Sequence, residues 1–373
     1  MKLPAARALG GFLNLAVFSI ALASALAIMS RVLPPLEVPV VDEKLAFFAD
    51  HRDEFDTLFF GSSRTYAQIF PTLFDQRTVE AGIFTTSFNF GIDGMFPPED
   101  GYVAEQLFAL HPKNLRRVFI EVSLFRNTWF AMGSGSTRAL YWHDGRRLEL
   151  ALREAFTTYD FRSTKPDGTR LRWKDWRKSF KRWWGDMSIG KPLQRRFENL
   201  CIHAGLFLKR TLNAGRGSDL VAQLGRGTER QHDWRVLGAD MRGLRQPASR
   251  REIPAPALDS FDQRLAEVTA KPARLTPMQP AQQENMRRIV ALVRAAGAEP
   301  ILYLAPDVTP CRRYLPDDPD IPLFDFTEVA RWPQLFLREN RLDASHLDSD
   351  GAKMLTDEFA RMFIEHEHGK AAR

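Results

Sequence analysis

Leu58-Phe59-Phe60-Gly61-Ser62-Ser63-Arg64 is the stretch whose reading decides the fold. Thr57 to Phe60 reads as a short buried strand, since a brief apolar run closed by a breaker suits a sheet interior. Gly61 is the breaker, and two serines stand at the carboxyl end. In an open α/β sheet that edge is where chemistry takes place. Far downstream, Asp343-Ala344-Ser345-His346 offers a carboxylate and an imidazole. At that spacing in a loop both side chains can face one serine, His346 as base and Asp343 as the group that orients it.

Working outward, the pattern alternates strand and helix. Asp42 to Asp50 predicts a helix capped by Asp42, with Leu45, Phe47 and Phe48 as its apolar residues. Thr65 to Gln76 predicts helix interrupted at Pro71. Thr85 to Phe90 predicts a second strand, followed by the turn Gly91-Ile92-Asp93-Gly94. Pro97 and Pro98 open a helix, and Arg117 to Ser123 predicts a third strand. After Thr276 a helix carries Met286, Ile289, Val290, Leu292 and Val293 and runs to Gly297. It is followed by strands at Pro300–Ala305 and Leu323–Phe326. A last helix starts at Asp348, Ser349 or Asp350, and Glu365 to Arg373 reads as a polar, frayed tail. The implied fold is a three-layer α/β/α sandwich with a mostly parallel sheet of about five strands. Four segments result: 1–34 at the membrane, 35–131 as the first part of the α/β domain, 132–258 as a long irregular or helical insertion, and 259–373 as the second part.

The N-terminal segment carries Lys2 and Arg7 ahead of an uncharged run from Leu9 to Met29. At ~1.5 Å per residue this run just spans a ~30 Å hydrocarbon core. Lys2 and Arg7 place the N-terminus inside and the body outside the cytoplasmic membrane. Ala23, Ala25 and Ala27 also permit cleavage as a signal peptide; either way the body is exported. Pro34, Pro35 and Pro39 read as a stiff spacer. The 373 residues carry a formal charge of +6, with 44% hydrophobic and 26% charged residues. That balance is globular. The sequence has no nucleic-acid motif. Cys201 and Cys311 make neither a disulfide framework nor a zinc site.

These residues resemble the SGNH (GDSL-like) hydrolase superfamily. Gly61-Ser62-Ser63 is similar to its Gly-Asp-Ser block, with Ser62 in place of the aspartate. Asn89 to Gly94 is similar to its second block, and Asp343-x-x-His346 to its last. The resemblance implies an SGNH/flavodoxin-like fold, Ser63 as nucleophile, and the N–H groups of Ser63 and Gly94 as oxyanion donors. No metal or organic cofactor is implied. The family's Gly-x-Asn-Asp block is missing after the third strand, where Asn127 displaced, or Ser123, would take the asparagine's place. The anchor together with Gly-Ser-Ser-Arg resembles exported DltD-like and alginate-acetylation-like proteins. This implies an O-acyl esterase or acyltransferase acting on an envelope or extracellular polysaccharide, with a membrane-bound O-acyltransferase as partner. The other class the sequence allows is a non-catalytic envelope module that binds such an acyltransferase.

Other features carry two readings each. Arg64 either binds an anionic substrate or packs structurally, and Ser62 reads as a turn residue. Arg172 to Trp184 places Trp173, Trp176, Phe180 and Trp183 on one face amid basic residues. It is either an interfacial helix or a cap helix packed on the domain. His366 and His368 have ligand-like spacing but sit in the polar tail. His143-Asp144 reads as a loop pair, and Asp307 as site lining or turn.

Overall fold

The computed structural model describes residues 13–22, 24–25, 28, 38–123, 137–157, 191–211, 234–245, 256–270, 274–308, 312–315, 318 and 320–371. Asn127 and Arg172 to Trp184 lie outside these. Residues 13–22 are helical (α1). Among the described residues, no helix is long and apolar enough to cross a membrane; part of the Leu9–Met29 run lies outside them.

The α/β body starts with α2 (Pro39–His51), β1 (Thr57–Gly61), α3 (Ser63–Gln68), α4 (Pro71–Glu80), β2 (Ser87–Gly91), α5 (Glu99–Phe108) and β3 (Arg117–Glu121). Next come α6 (Thr137–Tyr141), α7 (Gly145–Thr157), α8 (Lys191–Thr211), α9 (Trp234–Leu237) and α10 (Pro256–Ala270). The chain continues through β4 (Leu275–Pro277), α11 (Pro280–Ala295), β5 (Glu299–Leu304), β6 (Arg312–Tyr314), β7 (Leu323–Asp325) and α12 (Ser349–Ala371).

Five strands pair in parallel in the order β2-β1-β3-β5-β7, and β4 and β6 form a separate pair. Successive strand residues point to opposite faces, and both faces are covered. Leu58, Phe60, Phe88, Phe90, Val118, Ile120 and Leu302 pack with residues of α2, α5 and α11. Phe59, Phe119, Ile301, Tyr303 and Phe324 pack with residues of α4 and α12. On that second face Phe59 stacks on Phe119 at 4.9 Å, and Phe359 meets both edge-on. Burial on both faces is why β1 reads as an unbroken apolar run rather than an alternating one.

Several boundaries differ from the sequence reading, each for a local reason. Helix α2 starts at Pro39 rather than Asp42. Proline suits a first helical position, and the Asp42 carboxylate reaches back to the Val38 N–H instead of capping. Pro39 thus belongs to the helix and not to the spacer. Strand β2 starts at Ser87, not Thr85. Thr85 Oγ1 donates to Asp75 at 2.8 Å, and the Thr86 N–H is taken by Asp56 at 2.9 Å. The expected frayed tail is helical to Ala371. Arg117 holds Glu367 at 2.5 Å, and Lys370 holds both Glu299 and Glu367.

The region read as an insertion contributes to the body. Its 238–245 turn runs along the free edge of β2, where Asn89 N–H donates to the Arg242 carbonyl at 2.8 Å. Gly243, with φ +81°, brings its backbone so close that a Cβ would lie 2.2 Å from the Asn89 carbonyl. The turn therefore blunts an edge that would otherwise offer open backbone groups. His143 and Asp144 lie in the loop between α6 and α7, as expected; His143 is fully buried there, and His203 Nδ1 lies 3.0 Å from its Nε2. Burial pushes the pair down, to about 3 for His143 and about 4 for His203, so both rings are neutral near pH 7.

Candidate active site

The strand order reverses between β1 and β3, and crevices at such a point, beyond the carboxyl ends of the strands, are where open α/β sheets bind ligands. Ser63 stands there, as the first residue of α3. Ser62 is the N-cap, and its Oγ accepts the Arg64 N–H at 3.3 Å. In the first turn of a helix the N–H groups lack an i−4 carbonyl and point outward with the positive end of the helix. The Ser63 N–H is one of these.

Ser63 Oγ lies 2.8 Å from His346 Nε2. His346 Nδ1 lies 2.9 and 3.0 Å from the two oxygens of Asp343. A carboxylate only accepts, so Nδ1 carries the proton and Nε2 is free to accept from Ser63. The Asp343 carboxylate is itself held, accepting the Ser345 N–H at 2.7 Å and the His346 N–H at 2.9 Å. Partial burial works against its charge, but the His346 ring and these two N–H groups outweigh burial and hold its pKa below the ordinary value. The loop is closed by an antiparallel bridge between Arg341 and Leu347. Two segments 283 positions apart in sequence thus meet as nucleophile, base and orienting acid.

Gly94 lies in the left-handed region, φ +66°. Its loop is held beside the serine turn because Gly61 pairs with Gly91 and the Ile92 N–H donates to the Gly61 carbonyl at 2.9 Å. Asn89 secures the same junction. Its Nδ2 donates to the carbonyls of Thr65 and Ile69 at 2.7 and 2.8 Å, and its Oδ1 accepts the Gly91 N–H. The last carbonyls of the short α3 are met largely from outside the helix: this amide serves Thr65 and Ile69, the Arg245 N–H donates to the Tyr66 carbonyl at 3.0 Å, and Thr356 Oγ1 donates to that of Gln68 at 3.3 Å.

Under the serine turn lies a carboxylate that sequence reasoning missed. Glu121, at the end of β3, is fully buried at its side chain. It accepts from the Ser62 N–H at 2.7 Å, Ser62 Oγ at 2.9 Å, Thr65 Oγ1 at 2.8 Å and Arg64 Nε at 2.7 Å. Burial disfavours its charge, yet Arg64 and these donors prevail and hold its pKa below the ordinary value. Gly61 makes the approach possible, since a Cβ there would lie 2.5 Å from Glu121 Oε2 and 2.0 Å from Thr65 Oγ1. The signal in the sequence was a lone acidic residue ending an otherwise apolar strand. Arg64 also reaches Asp307 at 2.8 Å, so two carboxylates take up its guanidinium. It serves this scaffold rather than an open anion site, and Asp307 lines that scaffold.

Two further buried cations brace the site. Arg341 lies between the rings of Phe261 and Phe336, donating to the Leu335 carbonyl at 2.9 Å and the Pro306 carbonyl at 3.1 Å. It ties the acid–base loop to the end of β5. Lys44 of α2 donates to the carbonyls of Asn89, Gly91 and Gly243 at 2.9, 2.7 and 2.6 Å, and lies 3.8 Å from the centre of the Tyr66 ring. Burial pushes its pKa well down, but three carbonyl acceptors match the three donors of an ammonium. Neither residue stood out in the sequence.

Other clusters do not join this site. Among the described residues, Glu299, His366 and Glu367 bring ligand atoms within 4.8 Å of one another. Arg117 and Lys370 already neutralise those carboxylates, which argues for an ion-pair network. His366, expected to be solvated, packs on Phe324 and lies 3.2 Å from Glu299. A cavity of about 380 Å³, lined by residues including Phe47, Phe55, Met241 and Arg242, sits at the opposite end of the sheet.

No protein-family model matches the chain, and no curated protein is similar to it in sequence. The class defined by fold and site is therefore an α/β protein with a Ser–His–Asp constellation at the carboxyl edge of a parallel sheet.

Proposed function

We propose that the chain is an exported, membrane-anchored serine O-acyl esterase or acyltransferase of SGNH type, acting on acyl esters of an envelope or extracellular polysaccharide. The observation that carries the catalytic reading is the continuous chain from Ser63 Oγ to His346 and on to Asp343, at 2.8 and 2.9 Å. The sheet order corresponds to the flavodoxin-like order 2-1-3-4-5 once strands of this sheet alone are counted. That agrees with the resemblance carried by Gly61-Ser62-Ser63 and Asp343-x-x-His346.

In the first half-reaction Ser63 Oγ attacks the acyl carbonyl carbon while its proton moves to His346 Nε2. Asp343 stabilises the imidazolium. The Ser63 N–H and the Gly94 N–H hold the developing oxyanion. As the intermediate collapses, the bond to the sugar oxygen breaks and His346 returns the proton to that oxygen. In the second half-reaction water or another sugar hydroxyl gives its proton to His346, attacks the acyl-serine, and Ser63 departs reprotonated.

A fluorophosphonate probe tests this, since it reacts with activated serines. Labelling of the wild-type protein should vanish in Ser63→Ala and fall sharply in His346→Ala. Labelling that is absent from the folded wild-type protein, or unchanged in Ser63→Ala, would rule out the catalytic reading in favour of a non-catalytic module.

A further inference from the structure

Helix α2 runs antiparallel to the strands it covers. It ends at His51, and the chain then enters β1 at the edge opposite the site. Its C-terminal residues Phe47 and Phe48 stack on Phe88 and Phe55, and its Lys44 reaches the Gly91 carbonyl where β2 ends. The N-terminus of α2 therefore lies at the carboxyl edge of the sheet, the edge that carries Ser63 and His346. The other end of α2 is ~20 Å away, at 1.5 Å per residue.

The chain arrives at that N-terminus from the apolar segment. In α1, Leu13, Val17 and Ile20 lie along one side, and Leu15, Phe18 and Leu22 along the other. All six are exposed. An apolar helix without a polar side has no stable place in water and calls for lipid around it. From Met29 to Val38 the chain reaches at most ~32 Å, at ~3.3–3.6 Å per residue.

We propose that the catalytic edge is the membrane-facing edge of the protein. Ser63 opens toward the surface of the bilayer that holds the N-terminal segment, so that acyl esters are met at the interface. The proposal rests on the reading of Leu9–Met29 as embedded in lipid, and not on the identity of the ester.

The test uses the full chain carrying Cys201→Ser and Cys311→Ser, reconstituted in phosphatidylcholine–phosphatidylglycerol vesicles. Single cysteines are introduced at the catalytic edge (Asp93→Cys or Arg245→Cys) or at the opposite edge (Phe84→Cys or Lys113→Cys). Each is labelled with an environment-sensitive fluorophore, and a headgroup spin-labelled lipid serves as quencher. Quenching several-fold stronger at 93 and 245 than at 84 and 113 is the expected result. Equal or reversed quenching in protein that co-sediments with vesicles overturns the orientation alone. Failure to co-sediment overturns the orientation together with the lipid-embedded reading, while Ser63 labelling still reports separately on the catalytic one.

Discussion

Glu121 shows how a single buried carboxylate can set the geometry of a nucleophile it does not touch. Its partners include the residues on either side of Ser63, namely Ser62 and Arg64. The Gly-Asp-Ser block that Gly61-Ser62-Ser63 resembles carries its acid in the turn itself; here the acid reaches the turn from the neighbouring strand. Glu121→Gln removes the charge and leaves Arg64 with Asp307 alone, so a loss of about 3 kcal/mol is expected, the low end for breaking a buried pair. The charge also fixes the pH dependence. Unfolded glutamate and aspartate titrate near ~4.3 and ~3.9, whereas Glu121 and Asp343 titrate lower in the folded protein. As pH falls the unfolded chain takes up protons first. The contribution of both groups is therefore full above those values and is lost as pH drops through the folded ones. Denaturant melts at pH 7 and pH 3.5 check this. The stability gap between wild type and Glu121→Gln should be wide at pH 7 and narrower at pH 3.5. A gap that stays constant would show that charge is not what Glu121 contributes.

At the scale of elements, the strand–turn–helix unit around Gly61 depends on the absence of a side chain. Gly61→Ala would drive a methyl group against Thr65 Oγ1 and Glu121 Oε2. Overpacking of this kind costs about 1–3 kcal/mol, and the shift it forces falls on the turn that aims Ser63. Gly205→Ala is the matched control. It lies in α8 with nothing within 4 Å of the added Cβ, and replacing a helical glycine should be neutral or gain up to about 1 kcal/mol. Thermal melts and probe labelling of both variants separate the outcomes. Gly61→Ala loses labelling and stability, Gly205→Ala neither, and a fully labelled Gly61→Ala would contradict the close packing. The same unit shows what the sequence made legible. Apolar runs, breakers and helix starts located β1, β2, β3 and β5; both faces of the sheet are buried, so β1, β3 and β5 carry continuous apolar runs, while β2 alternates its phenylalanines with Ser87 and Asn89. Ser63, Asp343 and His346 were legible because local spacing places each at an element end. Glu121, Lys44 and Arg341 were not, since their partners are backbone carbonyls or distant side chains that only the packed fold brings near. The 238–245 turn along β2 was hidden for the same reason.

At the scale of the whole molecule, α2 belongs to the body and the apolar segment does not. Val41, Lys44 and Phe48 are fully buried and Phe47 nearly so. Lys44 joins β2, Tyr66 of α3 and the turn at Gly243. Each fully buried aliphatic or aromatic side chain contributes about 1.5–3 kcal/mol. Losing three of them together with Lys44 would consume most of the about 5–15 kcal/mol that a domain has in hand. The six exposed apolar residues of α1 contribute nothing comparable in water. A chain beginning at Val38 should therefore be soluble without detergent, melt cooperatively, and react with the fluorophosphonate probe through Ser63 as the full chain does. A chain beginning at Asp53 should fail to melt cooperatively and should not label, because the carbonyls of Asn89 and Gly91 lose the Lys44 donor and one face of the sheet loses its cover. Calorimetry and labelling of the two truncated chains distinguish the outcomes. Cooperative melting and labelling of the Asp53 chain would show that α2 belongs with the membrane segment, and that the site stands on the sheet alone.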